Sequence, residues 1–162
     1  LARWLLRSDQ DARDVTQEAM LRAYQFFDSF LGGEVRPWLM AIVRNRCYSW
    51  FERHRPGDLE LSFDEQMDSG AFVDPAGAGQ TGGPEADYMR KARAQAVRDA
   101  VARLPLEFRE VVIYREFEDL SYKEIARIID VPPGTVMSRL ARARQRLHVL
   151  LEADYRENWD AL

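Results

Sequence analysis

An all-α fold of two small helical domains joined by a flexible acidic linker is predicted by three features of the 162-residue sequence. Apolar residues recur at helical spacing in both halves of the chain, and the sequence shows no strand-like alternation. The stretch from Pro56 to Pro84 is rich in Gly, Ser and acidic residues and lacks sustained periodicity, which is typical of a linker. After the linker, Pro105 separates the helix predicted at Tyr88 to Leu104 from the helix predicted at Glu107 to Phe117.

The predicted division of the chain is a first domain at 1–55, a linker at 56–87, a second domain at 88–151 and a tail at 152–162. Because the chain begins at Leu1 rather than at a methionine, we expect the first domain to be truncated at its N-terminus. The tail is acidic and aromatic, and its sequence predicts no role.

Charge is unevenly distributed along the chain. The net charge is −4 at pH 7, but eight of the 27 acidic side chains lie between Pro56 and Tyr88, where there is no Lys or Arg. The rest of the chain carries 23 basic and 19 acidic side chains, a net charge of +4. Between Gly134 and His148 there are four arginines and no carboxylate, which is typical of a surface that binds nucleic acid.

Composition and residue spacing exclude several classes of protein. No run approaches the roughly 20 apolar residues of a membrane span, so we expect no membrane insertion. The lone cysteine, Cys47, excludes an internal disulfide and a cysteine zinc cluster, and it suits a reducing cytoplasm. His54 and His148 are isolated, and no paired-carboxylate or phosphate-loop spacing occurs. We therefore expect no enzyme activity, small-molecule substrate, metal or other cofactor.

Three helices are predicted before the linker, at Ala2 to Leu6, Ala12 to Phe27 and Pro37 to His54. On the second helix, small apolar residues share one face, and polar residues lie elsewhere. The apolar residues are Val15, Ala19 and Ala23, and the polar residues are Asp14, Gln17, Glu18 and Arg22.

The third helix is predicted to present an aromatic side chain among Arg and Asn. The residues expected to face inward are Leu39, Val43, Cys47 and Trp50, with Trp38 and Ile42 beside them. Those expected to face outward are Arg44, Asn45, Tyr48, Glu52 and Arg55. Such a surface suits single-stranded nucleic acid, because aromatics stack on bases and arginines hold the backbone. A surface tyrosine that packs on a neighbouring loop is an equal alternative.

After the linker, helices are predicted at Tyr88 to Leu104 and at Glu107 to Phe117, followed by a helix-turn-helix from Ser121 to Leu147. The motif opens with a capping box formed by Ser121 and Glu124. The apolar stripe of its first helix is Ile125, Ile128 and Ile129. Asp130 suits a left-handed turn, and Thr135 is the predicted cap of the next helix.

The second helix of the motif carries the features of a DNA recognition helix. Its predicted inward face is Val136, Leu140, Ala143 and Leu147. The stripe beside it is Thr135, Arg139, Arg142 and Arg146, with Ser138 and Ala141 pointing away from the core. Arginines there can pair with phosphates or guanine edges. A solvated basic face is the alternative for the arginines alone, but cap, turn, core spacing and basic stripe together favour DNA binding.

These stretches resemble the extracytoplasmic-function (ECF, group IV) sigma factors of the sigma-70 family of bacterial RNA polymerase, and the resemblance covers nearly the whole chain. The sequence DARDVTQEAMLRAY is similar to region 2.2 of that family. The segment from Phe27 to Arg55 is similar to regions 2.3 and 2.4, and the segment from Val101 to Leu147 is similar to region 4.

The resemblance implies an initiation factor that binds core RNA polymerase and directs it to promoters by capturing the melted −10 strand and recognising the −35 duplex. The positions implied for the flipped −10 base are Phe30, Ile42 and Asn45, and those implied for the strand are Arg44, Arg46 and Tyr48. The −35 positions are Ser138, Arg139 and Arg142, with Thr135 and Arg146 on phosphates. Met137 replaces a residue that is often basic, and can touch a thymine methyl or pack on the core.

The resemblance also implies the partners of the chain. Asp14, Gln17, Glu18 and Arg22 are expected to contact the β′ coiled coil of core polymerase, and the β flap, promoter DNA and an anti-sigma factor are the other expected partners. The acidic linker is expected to pass through the active-site cleft and RNA exit channel, although acid that keeps a linker extended and soluble is the alternative. Two competing hypotheses are a free-standing helix-turn-helix regulator and a sigma-like decoy that binds only an anti-sigma factor.

Overall fold

The computed structural model of the chain describes residues 1–30, 32–59 and 84–160. Within these ranges the fold is all-α and contains no strand, which confirms the predicted fold class. Its α-helices are α1 (Ala2–Leu6), α2 (Asp9–Gln25), α3 (Val35–His54), α4 (Pro84–Arg103), α5 (Leu106–Val112), α6 (Tyr122–Ile129) and α7 (Pro133–Asp160). None of the described helices is both long and apolar enough to cross a membrane. Most of the predicted linker, residues 60–83, lies outside the described residues.

Helices α1 to α3 form the N-terminal domain. Ser8 caps α2 by accepting a hydrogen bond from the Asp11 backbone N–H at 3.3 Å, so this helix begins three residues before the predicted start. As predicted, Val15, Ala19 and Ala23 are buried. The buried residues that α3 contributes are Val43, Cys47 and Phe51. The inward face of α3 therefore includes Phe51, whereas Trp50, which was predicted to face inward, is only half-buried.

Helices α4 to α7 form the C-terminal domain, in which α6 and α7 are the helix-turn-helix. The predicted capping box is confirmed, because Ser121 Oγ accepts from the Glu124 N–H at 3.3 Å and Glu124 accepts from the Ser121 N–H at 2.7 Å. Asp130 adopts the predicted left-handed conformation with φ 56°. The three isoleucines of α6 are buried, as are Val136, Leu140 and Ala143 of α7. The packing of these residues fixes the orientation of α7 relative to α6.

Thr135 does not cap the recognition helix, contrary to the prediction. Helix α7 begins at Pro133, whose fixed φ and missing N–H suit the first helical position, and Thr135 already lies inside the first turn. At its other end α7 continues to Asp160, well into the predicted tail. Arg103 of α4 forms an ion pair with Asp154, so part of that tail is attached to the C-terminal domain.

A π-helical turn interrupts the helix that we predict between Glu107 and Phe117. Helix α5 ends at Val112, and the turn Ile113–Phe117 follows, with the Glu118 N–H donating to the Ile113 carbonyl at 3.0 Å. Such turns contain one more residue than an α-helical turn. Apolar periodicity is nearly the same for the two geometries over one turn, so the sequence pattern does not distinguish them.

The two domains pack directly against each other. Leu106 and Ile113 of the C-terminal domain belong to the buried cluster of the N-terminal domain, which includes Leu5 and Cys47. The rings of Trp4 and Phe117 are 4.4 Å apart across the boundary. The guanidinium of buried Arg109 also donates to the Leu5 carbonyl at 2.8 Å. The structure is therefore a closed arrangement of the two domains.

Candidate nucleic-acid interface

A cavity of about 290 Å³ opens beside the N-terminal half of α3. Its lining residues come from α2, the turn after it and α3: Arg22, Phe26, Ser29, Trp38, Ile42, Asn45 and Arg46. Asn45 is exposed at this cavity, and Phe30 packs on the Trp38 ring at 5.1 Å. The cavity volume is near the lower limit of about 300 to 1,000 Å³ for small-molecule pockets. Its mixture of aromatic, amide and guanidinium groups suits a planar heterocycle.

Two glycines bend the chain shortly before α3. Gly32 and Gly33 have φ values of +88° and +106°, which residues other than glycine rarely adopt. These two residues bend the backbone just before α3, which carries Trp38. The ring contact of Phe30 with Trp38 forms one edge of the aromatic cluster beside the cavity.

Arg44 and Tyr48 do not face outward, contrary to the prediction. They lie on the side of α3 that meets the C-terminal domain, where Arg44 Nε is 2.7 Å and Nη2 is 3.2 Å from the carboxylate oxygens of Glu110. The Arg44 guanidinium lies 4.1 Å above the Tyr48 ring centroid. Helical periodicity places these side chains on the surface of the N-terminal domain alone, but it does not show that another domain covers that surface.

The environment of Glu110 shifts the pKa values of this group of residues. Complete burial raises the pKa of Glu110. The hydrogen bond and charge of Arg44, the hydrogen bond of Tyr48 and the charge of Arg139 act to lower it, but burial outweighs them. Burial also raises the pKa of the Tyr48 phenol. For Arg44, burial acts to lower the pKa, but the hydrogen bond and the charge of Glu110 outweigh it and the pKa is raised. Arg44 is therefore a permanent cation here.

The predicted −35 residues of α7 fall into two groups. Met137, Ser138 and Arg142 are exposed, so Met137 does not pack on the core. Thr135, Arg139 and Arg146 are half-buried. Arg139 forms ion pairs with Glu107 at 3.1 Å and Glu110 at 3.8 Å, and Arg146 lies 5.0 Å above the Phe108 ring centroid. In the closed arrangement, two arginines of the basic stripe, Arg139 and Arg146, therefore already contact other residues of the chain.

The residues expected to contact polymerase are all exposed on α2: Asp14, Gln17, Glu18 and Arg22. Large apolar side chains are exposed nearby, including Leu21 at 65% and Tyr24 at 83%. Contiguous exposed apolar residues with a polar rim are typical of a protein-binding surface. Arg22 also lines the cavity beside α3, so the two candidate surfaces are adjacent.

Cys47 is expected to be chemically inert in the folded protein. Its side chain is fully buried, and burial raises the pKa of the thiol to about 12. Because the thiolate is the reactive form, we expect Ellman's reagent at pH 8 to react with Cys47 at least about 100-fold more slowly than with a free thiol. The same chain in concentrated urea should react at the rate of a free thiol. Rapid labelling of the native chain would contradict the burial.

Several residues of the interface are missed by sequence reasoning about function. Trp38 lies four residues before Ile42 and seven before Asn45, so helical spacing alone places it on the cavity face. No sequence spacing identifies Glu107 and Glu110 as part of the interface. Their shared partner Arg139 is distant in sequence, and Arg44, the other partner of Glu110, belongs to the other domain. Among the described residues, no group of three or more His, Cys, Asp or Glu side chains is placed to hold a metal ion.

The two domains match two regions of one protein family. Residues 1–56 match sigma-70 region 2, and residues 94–147 match sigma-70 region 4. The RNA polymerase sigma-H factor of Pseudomonas aeruginosa is 32% identical over 151 residues, which are 91% of this chain and 77% of the relative. The ECF RNA polymerase sigma-E factor of Escherichia coli K12 is 34% identical over 142 residues, which are 85% of this chain and 72% of the relative.

Solved structures are similar over nearly the whole chain. The sigma factor RpoE in complex with the anti-sigma factor NepR from Bartonella quintana has a TM-score of 0.67 and 28% identity, covering 94% of this chain and 88% of that one. CnrH in complex with the cytosolic domain of CnrY has the same fold, with a TM-score of 0.63 at 23% identity, covering 94% of this chain and 79% of that one. The chain belongs to the ECF sigma factors of the sigma-70 family, the transcription initiation factors that direct RNA polymerase to promoters.

Proposed function

We propose that this sigma factor captures the melted −10 strand in the cavity beside α3 and reads the −35 duplex with α7. The observation that carries the first part is that Ile42, Asn45 and Arg46 line one cavity next to the ring of Phe30. A flipped base loses stacking and pairing worth a few kcal/mol, which aromatic and amide contacts in such a cavity offset. Arg44 and Tyr48 hold the strand once the C-terminal domain has moved away.

The second part is supported by the exposed residues of the recognition helix. Ser138 and Arg142 are exposed for contact with base edges, and Met137, which is 55% exposed, is placed to touch a thymine methyl. Arg139 joins them on base edges, and Thr135 and Arg146 contact phosphates. Because Val136, Leu140 and Ala143 of α7 are buried, the exposed face that carries Ser138 and Arg142 is the part of the helix available to the major groove.

Core polymerase binds both domains in this proposal. The exposed polar and apolar residues of α2, with Asp14, Gln17, Glu18 and Arg22 at their centre, dock on the β′ coiled coil. The C-terminal domain docks on the β flap. The proposed functions follow the predicted domain bounds. Residues 1–55 bind polymerase and the −10 strand, 56–87 are the linker, 88–151 bind the −35 duplex, and 152–162 are the tail. In this proposal the chain needs no cofactor, and it acts in the cytoplasm.

An anti-sigma factor is the proposed inhibitory partner. The support is the 28% identical RpoE, which was solved in complex with the anti-sigma factor NepR. No described feature favours a decoy or a free-standing regulator, because the exposed Asn45 and Arg142 suit DNA contact in both domains.

Transcription from a random-sequence DNA library tests the proposal. With core polymerase and the chain together, we expect transcripts whose upstream DNA shares two motifs at fixed spacing, one near −10 and one near −35. Core alone and the chain alone are the controls, and neither should yield these transcripts. Transcripts that share a −35 motif but no −10 motif would contradict strand capture by the N-terminal domain, and tight duplex binding by the chain to which core adds nothing would contradict the polymerase requirement.

A further inference from the structure

The aromatic cluster beside the cavity extends beyond the cavity itself. Trp38 lines the cavity, and its ring centroid also lies 6.4 Å from that of Phe27 and 5.1 Å from that of Phe30. The rings of Phe27 and Phe30 are 6.4 Å apart, with their planes inclined by 26°. Phe27 does not line the cavity, and it is 59% exposed. An aromatic surface open to solvent therefore adjoins the cavity.

The exposed surface combines aromatic rings with cations. Phe26, the neighbour of Phe27 in the chain, is 51% exposed and lines the cavity together with Arg22 and Arg46. Contiguous exposed apolar residues are typical of a binding site. Aromatic rings beside arginines favour single-stranded nucleic acid as the ligand, because bases stack on the rings while the guanidinium groups attract the phosphates.

The backbone that carries Phe27 is held by hydrogen bonds. Residues Phe27–Ser29 form one tight helical turn directly after α2. The Ser29 N–H donates to the Phe26 carbonyl and the Phe30 N–H to the Phe27 carbonyl, each at 3.0 Å. The Ser29 hydroxyl also donates to the Phe26 carbonyl, at 2.6 Å. Because this turn is already ordered, a ligand that stacks on Phe27 loses little free energy in ordering the protein.

The distance from the cavity to Phe27 matches the spacing of nucleotides in a strand. The separation of 6.4 Å between the Trp38 and Phe27 rings is about twice the rise of about 3.4 Å per nucleotide in a stacked strand. A nucleotide next to one held in the cavity can therefore reach Phe27. Its base has lost a stacking partner to the cavity, so one of its faces is available to a protein ring.

We propose that Phe27 stacks on the base adjacent to the flipped base, so that the N-terminal domain binds two consecutive bases of the melted strand. This inference rests on the proposed capture of a base in the cavity and adds a second binding site beside it. Every base has a face that can stack, so the Phe27 site accepts any of the four bases. The cavity, with the amide of Asn45, distinguishes bases by their edges.

The test uses holoenzyme reconstituted from core polymerase and the full chain. Its probe is a fork DNA that carries the two motifs selected from the random-sequence library, with the non-template strand single-stranded across the −10 motif. Each unpaired nucleotide is replaced in turn by an abasic residue, and the dissociation constant is measured by fluorescence anisotropy. We expect two consecutive sensitive positions, with binding weakened by about 5- to 150-fold at the position assigned to Phe27.

Base identity separates the two positions. At the cavity position one base should bind more tightly than the others, and Asn45→Ala should remove that preference. At the adjacent position all four bases should bind within about threefold of one another, since stacking tolerates any base. Phe27→Ala should weaken binding to the intact fork as much as the abasic residue does, and the two changes together should weaken it no more than either alone.

Three further variants control the result. Phe27→Tyr keeps the ring and should bind within about twofold of wild type, whereas Phe27→Leu keeps an apolar side chain without a ring and should bind as weakly as Phe27→Ala. Phe27→Leu also replaces Phe27→Ala if the latter loses its helical circular dichroism. Tyr88→Ala removes a 72% exposed aromatic side chain from the other domain and should leave fork binding unchanged.

Independent, multiplicative effects of Phe27→Ala and of every abasic residue would overturn the inference. If Phe27→Ala weakened binding to core polymerase without DNA by the same factor, the ring would contact protein and the inference would be wrong. A wild-type holoenzyme that responds to no abasic residue would contradict the proposed strand capture, and the inference with it. A response at the cavity position alone would contradict only the second site.

Discussion

Replacing Asn45 with alanine should reduce the formation of open promoter complexes by about 10- to 100-fold. The Asn45 side chain is exposed at the cavity beside α3, where its amide can hydrogen-bond to the edge of a flipped base. A good contact to a base edge is worth about 1 to 3 kcal/mol of discrimination, and 1.4 kcal/mol corresponds to tenfold. The measurement is the fraction of heparin-resistant complexes formed by core polymerase with the variant.

The matched control for this prediction is Glu52→Ala, an exposed position on the same helix outside the cavity. It should leave open-complex formation within about twofold of wild type, because isolated surface substitutions cost little. Binding of the Asn45→Ala chain to duplex DNA should also be unchanged. An equal loss of duplex binding and of open complexes would show that Asn45 does not act on the melted strand.

Leu140→Ala should lower the free energy of unfolding of the C-terminal domain by about 2 to 5 kcal/mol. Leu140 is 2% exposed and packs α7 against α6 together with Ile125 and Val136. Its truncation removes apolar contacts and leaves a cavity that the surrounding helices fill only partly. The loss should be measured by urea denaturation followed by circular dichroism.

Val149→Ala is the control on the same helix, because Val149 is 54% exposed. It should change the free energy of unfolding by less than about 0.5 kcal/mol. A similar loss for both variants would mean that α7 is not fixed by its packing on α6. In that case the recognition residues would have no defined orientation.

Much of the fold within each domain is predictable from the sequence, because the decisive interactions there are local. The capping box of Ser121 and Glu124 and the left-handed Asp130 depend on residues that are neighbours in the chain. The buried face of α2 follows from helical periodicity. The predicted cap of α7, Thr135, is wrong because Pro133 has the stronger preference for the first helical position.

The contacts between the domains are not predictable in the same way. Arg44 and Glu110 are separated by 66 positions in the chain, and both look like ordinary polar residues on amphipathic helices. Only the packing of α3 against the C-terminal domain makes Glu110 buried and Arg44 inaccessible. For the candidate site, the sequence therefore predicts the residue types and their helices. It does not predict which of these residues are already engaged in contacts with the other domain.

The π-helical turn at Ile113–Phe117 links chain length to the way in which the domains meet. Deleting one residue can convert such a turn to α-helical geometry, and the chain beyond it then keeps nearly the same orientation, because the wider turn holds its extra residue within about one turn. Phe117 and Glu118, which contact Trp4 and Arg36, lie at the end of this turn. Deletion of one residue here is thus expected to leave both side chains on the side that meets the N-terminal domain, so the turn makes the domain boundary tolerant of a change in chain length at this point.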